Sequence, residues 1–487
     1  MFSIRTIYVE KQRNDRQHKC KKTLKRLFTQ ELYSIKMKVL LIIIISVFNV
    51  LNCLAQNISI TDFQKEIEIT KAILLDLHPS PLDYQSNEKL SYLCDSLKQE
   101  NLNVDSISIL YAYQRYAAIV SAIKCSHSGV YLPGHIDSSL KHFPFKIRIL
   151  EKQGYIIQGN NQYDSTKFGD RIISINDLPM ETILKRGIAL HSAAGLSQLN
   201  YKKFEKSVGR SIAILMNNPN SYKLTLARNG SDTLIINSIP SSKKHSSINS
   251  NPFTFEIKKK EEVDIALFTI HNFPTYKQSF DFELFCEKNV KLISRKKIKN
   301  VVIDLRDNGG GDYIHLLLRY FASESFEKFE STILRTENID KYKKNLVTYN
   351  LQYNDSKGFY LNPDYFPTID YQGKMKLDVN LYVLVNGYTA SAASHFAALV
   401  KEHKLGTIVG NETGGKFTGN NGTAYGSCFL PYSGIEIYVP LAKNVYAVAQ
   451  HKNSDNGVIP DIKIKAELKK DLEMDHLIKI IIDYKKK

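Results

Sequence analysis

Val301-Val302-Ile303-Asp304-Leu305-Arg306-Asp307-Asn308-Gly309-Gly310-Gly311-Asp312 and Leu381-Tyr382-Val383-Leu384-Val385-Asn386-Gly387-Tyr388-Thr389-Ala390-Ser391-Ala392-Ala393-Ser394-His395 follow one pattern. Each is an apolar run rich in β-formers that stops at glycine or small residues and continues into a helix-compatible stretch. This is a buried strand, a tight turn and a helix. The surrounding pattern predicts strands at 263–270, 299–305, 381–386 and 406–410, and helices at 278–297, 312–322 and 391–403. Strands alternating with helices predict an α/β layer with parallel strands.

The two turns concentrate the chemistry. Three glycines after a strand let a backbone approach closely and present N–H groups. A phosphate loop is one reading, but GxxxxGK[ST] is missing. A purely structural turn is another, and an oxyanion-binding turn suits the surroundings better. In the second junction Ser391 and Thr389 are either helix N-caps or, for Ser391, an exposed nucleophile favoured by the positive end of the helix dipole. A serine nucleophile needs a base, and two are open. His127 lies in Cys125-Ser126-His127-Ser128-Gly129, and its imidazole titrates near neutrality. Lys416 lies in Thr413-Gly414-Gly415-Lys416, 25 residues beyond Ser391, and needs burial to lose its proton. His78 and His395 are further histidines, the latter four residues after Ser391 on the same helix and so aimed along it.

Outward from these motifs the texture changes. Residues 58–124 read as helical, broken at Pro79 and Pro81. From Phe143 the chain alternates like strands, with a hairpin around Asn229-Gly230, and 240–252 is a Ser/Lys/Asn-rich linker. Met37-Lys38, the apolar run Val39 to Phe48 and Ala55 before Gln56 have the grammar of a secretory signal. Residues 1–36 are then a basic extension ahead of a natural start at Met37. An uncleaved anchor, or a lipidated Cys53, is the route by which this chain would be membrane-bound.

The net charge of +17 comes from 66 Lys+Arg against 49 Asp+Glu. Much of the surplus sits in the first 38 residues, and from Gln56 onward 55 basic groups face 46 acidic ones. The remaining basic runs are short, which speaks for solvated surface rather than nucleic-acid binding. Hydrophobic content of 43% excludes a disordered chain or a polytopic membrane protein. Beyond the signal only Cys94, Cys125, Cys286 and Cys428 remain, too few for a disulfide scaffold, and no Cys/His spacing suits zinc. No cofactor or metal is expected.

Taken in order, Ile303 to Gly311, Val385 to Ala392, Ile408-Val409-Gly410-Asn411-Glu412-Thr413-Gly414-Gly415 and Gly457-Val458-Ile459-Pro460-Asp461-Ile462 resemble the serine peptidase family of the carboxy-terminal processing (tail-specific) proteases and the tricorn protease core. The resemblance runs from about residue 60 to 465. It implies a ClpP/crotonase-like α/β catalytic domain at 253–487, an N-terminal helical segment at 56–142 and a PDZ-like domain at 143–240, the last marked by Gly169-Asp170-Arg171-Ile172. It implies Ser391 as nucleophile, with oxyanion donors at Ala392 and Gly310. The processing branch uses a Lys with a nearby Gln; Lys416 has that spacing, but the Gln position holds Asn420. The tricorn branch uses a Ser-His pair, matched by Ser126-His127, and a late Glu, where this chain has Asp455 one position off. His127 is preferred.

The implied function is a serine endopeptidase acting on proteins or peptides outside the cytoplasm, periplasmic or secreted. A catalytically inactive binding protein on the same fold is the alternative. With His127 as base, the acid limb of activity is expected near pH 6 to 7. The PDZ-like region is expected to add an extended peptide to a sheet edge.

Overall fold

The computed structural model describes residues 57–100, 103–158, 166–228, 232–241, 251–342, 344, 346–349, 352–354, 358–360, 369, 376–449, 455–469 and 473–485. The basic extension, the signal segment with Cys53, the Asn229-Gly230 turn and most of the 240–252 linker lie outside them.

The helical segment comprises α1 (Ile60–Leu77), α2 (Asn87–Gln99) and α3 (Ile109–Ala122). Each starts at a serine whose hydroxyl accepts a backbone N–H of the first turn: Ser59 from Asp62, Ser86 from Lys89 and Ser108 from Tyr111. Such a cap contributes about 1 kcal/mol. The buried Glu66 carboxylate of α1 accepts from the Tyr116 hydroxyl at 3.0 Å and from the backbone N–H of Tyr432 and Ser433 at 2.7 and 2.9 Å. This ties the segment to the far end of the chain. After α3 comes a short strand, β1 (Gly129–Tyr131).

A second sheet follows, built from β2 (Lys146–Leu150), β3 (Gln153–Gln158), β4 (Arg171–Ile175), β5 (Tyr222–Arg228) and β6 (Asp232–Ser238), antiparallel and in that order. It is backed by α4 (Met180–Ala189), α5 (Leu199–Lys206) and α6 (Val208–Leu215). Asp170, in the Gly169-Asp170 motif, is buried and accepts a bidentate pair from Arg228 at 2.8 and 2.7 Å. Gly169 takes φ +91° at the turn.

The central sheet has β7 (Phe253–Lys260), β8 (Val263–Ile270), β9 (Asn300–Asp304), then, after α7 (Ser279–Arg295), α8 (His315–Leu318), β10 (Phe329–Leu334) and β11 (Leu346–Tyr349), the strands β12 (Asn380–Val385) and β13 (Thr407–Gly410). Its order is β7-β8-β9-β12-β13 and a last short strand, Ile462–Lys463; all neighbours are parallel except β7 and β8. Along β8, Ala266, Phe268 and Ile270 face one core, while Ile265 and Leu267 face another that includes Leu477, Ile478, Ile481 and Ile482 near the C-terminus. Burial on both faces is why these strands read as unbroken apolar runs. The predicted strands and the 278–297 and 391–403 helices match to within two residues or so. The exception is 312–322, where only His315–Leu318 is α-helical. Tyr313 sits at φ +55°, and Leu316, Tyr320 and Phe321 donate to the carbonyl three residues back, so the chain winds in turns.

Candidate active site

β9 and β12 are adjacent and parallel, with Asp304 opposite Leu384, so their outgoing turns emerge side by side. Ligand sites in open α/β sheets form at such carboxyl ends. The turn after β9 is bound to the turn after β12 through Asn308. Its carbonyl accepts from Ala390 N–H at 3.0 Å, its side-chain amide donates to Ile270 O at 2.8 Å, and it is fully buried. The Thr389 hydroxyl donates to Leu305 O at 2.8 Å and so fastens the second turn to the first.

Ser391 stands at the N-terminus of the helix Ala392–Glu402 with φ +53° and ψ −126°. A β-carbon-bearing residue rarely adopts this conformation, which costs about 1–3 kcal/mol and persists only where the surroundings impose it. It lifts the hydroxyl out of the capping position: no side-chain cap bond forms. The hydroxyl meets His127 Nε2 at 3.1 Å across 264 residues of sequence. His127 reaches this point because the loop from α3 into β1 is held by pairing of β1 with Glu436–Pro440, Gly129 opposite Tyr438.

The other ring nitrogen, Nδ1, faces the Ser126 hydroxyl at 3.4 Å, and no carboxylate hydrogen-bonds His127 among the described residues. Loss of hydration holds the imidazole well below its usual value, at about 4, helped by the Lys203 cation. Lys203 is a residue the sequence did not single out. Its ammonium donates to Ser126 O at 2.8 Å and Ser192 O at 3.1 Å, and burial brings it down to about 8. It pins the backbone that carries His127. A lysine within an ordinary amphipathic helix carries no local signal of that role, and the same holds for Asn308 in its glycine turn.

The remaining expected residues are placed elsewhere. The Lys416 ammonium pairs with Asp455 at 3.1 Å and lies 5.1 Å from the centre of the Tyr84 ring. Asp455 also accepts from the Tyr84 hydroxyl at 2.9 Å. Lys416 and the late acid are thus partners of each other, not of Ser391 and His127. The Asn420 amide donates to the Tyr446 hydroxyl at 2.8 Å. His395 donates from Nε2 to Lys328 O at 2.9 Å and stacks on Tyr446, and His78 accepts from Ser80 N–H, so neither hydrogen-bonds Ser391.

The oxyanion expectation needs a correction in detail. The Gly310 N–H is in use, donating to Asn308 Oδ1 at 2.8 Å. Gly309, Gly311 and Ala392 line a cavity of about 320 Å³ together with Ser391 and His127. The N–H of Ala392, first residue of its helix, has no intrahelical acceptor and is a natural anion donor.

Comparison with known proteins extends this geometry. Residues 264–464 match the model of peptidase family S41. No curated protein matches the chain. Among solved structures, mature CPAF superposes with a TM-score of 0.60 at 12% identity, covering 88% of this chain and 97% of that one. Mature CPAF complexed with lactacystin gives 0.59 at 13% identity, with 88% and 98% covered. A photosystem II D1 C-terminal processing protease gives 0.42 at 16%, with 83% and 93% covered.

Proposed function

From the premise that this chain carries a catalytic region of peptidase family S41 and is a serine peptidase, we propose that it is an endopeptidase in which Ser391 is the nucleophile and His127 the general base. The observation that carries the assignment is the 3.1 Å contact between His127 Nε2 and a Ser391 hydroxyl held out of its capping position at φ +53°. Ser391 Oγ attacks the scissile carbonyl as its proton passes to Nε2, and the imidazolium then returns the proton to the leaving amine. The Ala392 N–H receives the oxyanion beside the glycine triplet. Gly310 contributes its N–H only if its peptide turns away from Asn308. Ser126 and the Lys203-bound backbone orient the ring in place of a carboxylate. Lys203 also opposes imidazolium formation electrostatically.

A fluorophosphonate probe is expected to label the purified protein at Ser391 and to leave Ser391→Ala unlabelled. An unlabelled wild type would leave the fold as a binding protein. The acid limb follows from the neutral imidazole being the base. As pH falls through about 4 the ring takes up a proton and activity is lost, so kcat/KM measured on an unionisable substrate is expected to hold down to about pH 4. A limb at 6 to 7, the value expected from an unperturbed histidine, would mean that His127 is hydrated during turnover.

The finer assignments rest on the same reading. We place a ClpP/crotonase-like catalytic domain at 253–487 and a PDZ-like domain at 143–240. β2 is the edge of its sheet and borders a cavity of about 1030 Å³ shared with α5, which suits an extended peptide lying along that edge. At present the edge N–H of Ile149 donates to Glu205. Export to the periplasm or exterior is proposed on the 37–55 segment, with a mature amino terminus at Gln56, read by mass spectrometry, as its test. Among the described residues no helix is long and apolar enough to cross a membrane.

A further inference from the structure

The cavity beside Ser391 holds a charge that the reaction does not use. Lys328 lines it together with Ser391 and is only 7% exposed. Its backbone is clamped, since its carbonyl accepts from Ala447 N–H at 3.1 Å and from His395 Nε2 at 2.9 Å. Its ammonium has no hydrogen-bond or ion-pair partner among the described residues, and it lies over the Phe329 ring, 5.4 Å from the ring centre. Buried ammonium groups are ordinarily paired, because an uncompensated charge away from water is costly.

The neighbours sharpen the imbalance. His315 and His395 also line the cavity, and burial holds both imidazoles down to about 3, so neither carries charge at neutral pH. His315 Nδ1 is itself buried without a partner. Burial lowers the Lys328 ammonium to about 8, which leaves it protonated at pH 7. Asp312 lines the same space, is half-buried and draws the lysine pKa upward, but it makes no ion pair with Lys328. Asn444, which also lines the cavity, is itself satisfied: its amide donates to Asn420 Oδ1 at 2.9 Å and to the Thr423 hydroxyl at 2.8 Å. At about 320 Å³ the space has room for a side chain rather than a folded segment.

We propose that this cavity is a specificity pocket for a substrate carboxylate, foremost an Asp or Glu side chain next to the scissile bond, with the Lys328 ammonium as its counter-charge. The proposal rests on the serine-peptidase reading of Ser391. An entering carboxylate supplies the missing partner of Lys328 and is met by a charge-assisted hydrogen bond in a place where water competes poorly. A neutral side chain of the same shape leaves the ammonium unpaired. A cationic one adds a second positive charge.

The test uses two pairs of peptides with the full-length mature protein, the first pair capped at both ends. One pair differs by Glu or Gln at a single position beside the cleaved bond. The other carries Ala there and ends in a free or amidated C-terminus. Glu is expected to exceed Gln in kcat/KM by about tenfold or more, the effect of one buried charged hydrogen bond. In Lys328→Met that ratio is expected to fall to near one, and in Lys328→Arg to keep its direction. Probe labelling of Ser391 in each variant shows that the site is still assembled. A tenfold preference for the free C-terminus without a Glu preference assigns the pocket to a terminal carboxylate instead of a side chain. Equal rates within both pairs, or a Glu preference that survives in a probe-reactive Lys328→Met, overturn the proposal. Loss of all cleavage and labelling in the wild type overturns the peptidase reading itself.

Discussion

His127→Ala is expected to lower kcat/KM by about 10⁴ or more, while Lys416→Ala lowers it by less than about tenfold. The first substitution removes the group that meets the Ser391 hydroxyl at 3.1 Å. With no base, the serine keeps its proton, and only the oxyanion donors and substrate binding continue to accelerate hydrolysis. The second substitution removes a partner of Asp455, in a pair whose side chains are 20% and 57% exposed. Partly exposed pairs of this kind contribute about 1 kcal/mol or less, and Lys416 makes no hydrogen bond to Ser391 or His127, so its loss reaches the reaction only through small shifts of the Gly414-Gly415 turn. Thermal unfolding of both variants separates loss of fold from loss of chemistry. A His127→Ala protein with near-normal turnover, or a Lys416→Ala protein with the 10⁴ loss, refutes the assignment of the base.

Gly310→Ala is expected to cost about 10² or more in kcat/KM without unfolding the protein. A methyl group at this position would stand 2.6 Å from Ser391 Cβ and 3.1 Å from its Oγ, closer than carbon atoms approach. Gly310 has φ +127°, a conformation L side chains avoid, so the backbone cannot adjust without disturbing its bond to Asn308. Ser391 is itself held at a strained φ of +53° and has little freedom to retreat. A displacement approaching 1 Å at a reacting atom is enough for a loss of this size. Gly309→Ala is the comparison, since its added carbon meets the Tyr388 ring edge at 3.3 Å, a side chain that can move. Steady-state rates, probe labelling and thermal unfolding on the two variants decide the matter. Full activity in Gly310→Ala would mean that the triplet does not press on the nucleophile.

Both substitutions divide what is local from what is not. The strands β8, β9, β12 and β13 are visible in the sequence because burial on both faces leaves runs of Val, Ile and Leu with no polar alternation, and such a run needs no knowledge of its partners. Ser391 is visible for the same reason: an apolar strand that ends in Asn386-Gly387 and resumes as Ala392-Ala393 marks a turn into a helix, with the Thr389 and Ser391 hydroxyls at its edge. The helix expected at 312–322 shortens to His315–Leu318: its apolar periodicity is real, while the φ of +55° at Tyr313 that breaks it is a property of the folded turn. Which group serves Ser391 is of another kind. His127 and Lys416 both stand as bases in one dimension, with only the family resemblance favouring His127, and the nearer of them in sequence pairs with Asp455. The farther one is brought in by a three-residue strand pairing with Glu436–Pro440, a contact that no local pattern around His127 encodes. The same is true of the Asn308 bond that occupies the Gly310 N–H, of Lys203 behind His127 and of Lys328 in the cavity. A turn or a strand is set by neighbours along the chain, through sterics and period; a buried charge or an occupied donor is set by which distant segments close around it, and only the tertiary structure decides that.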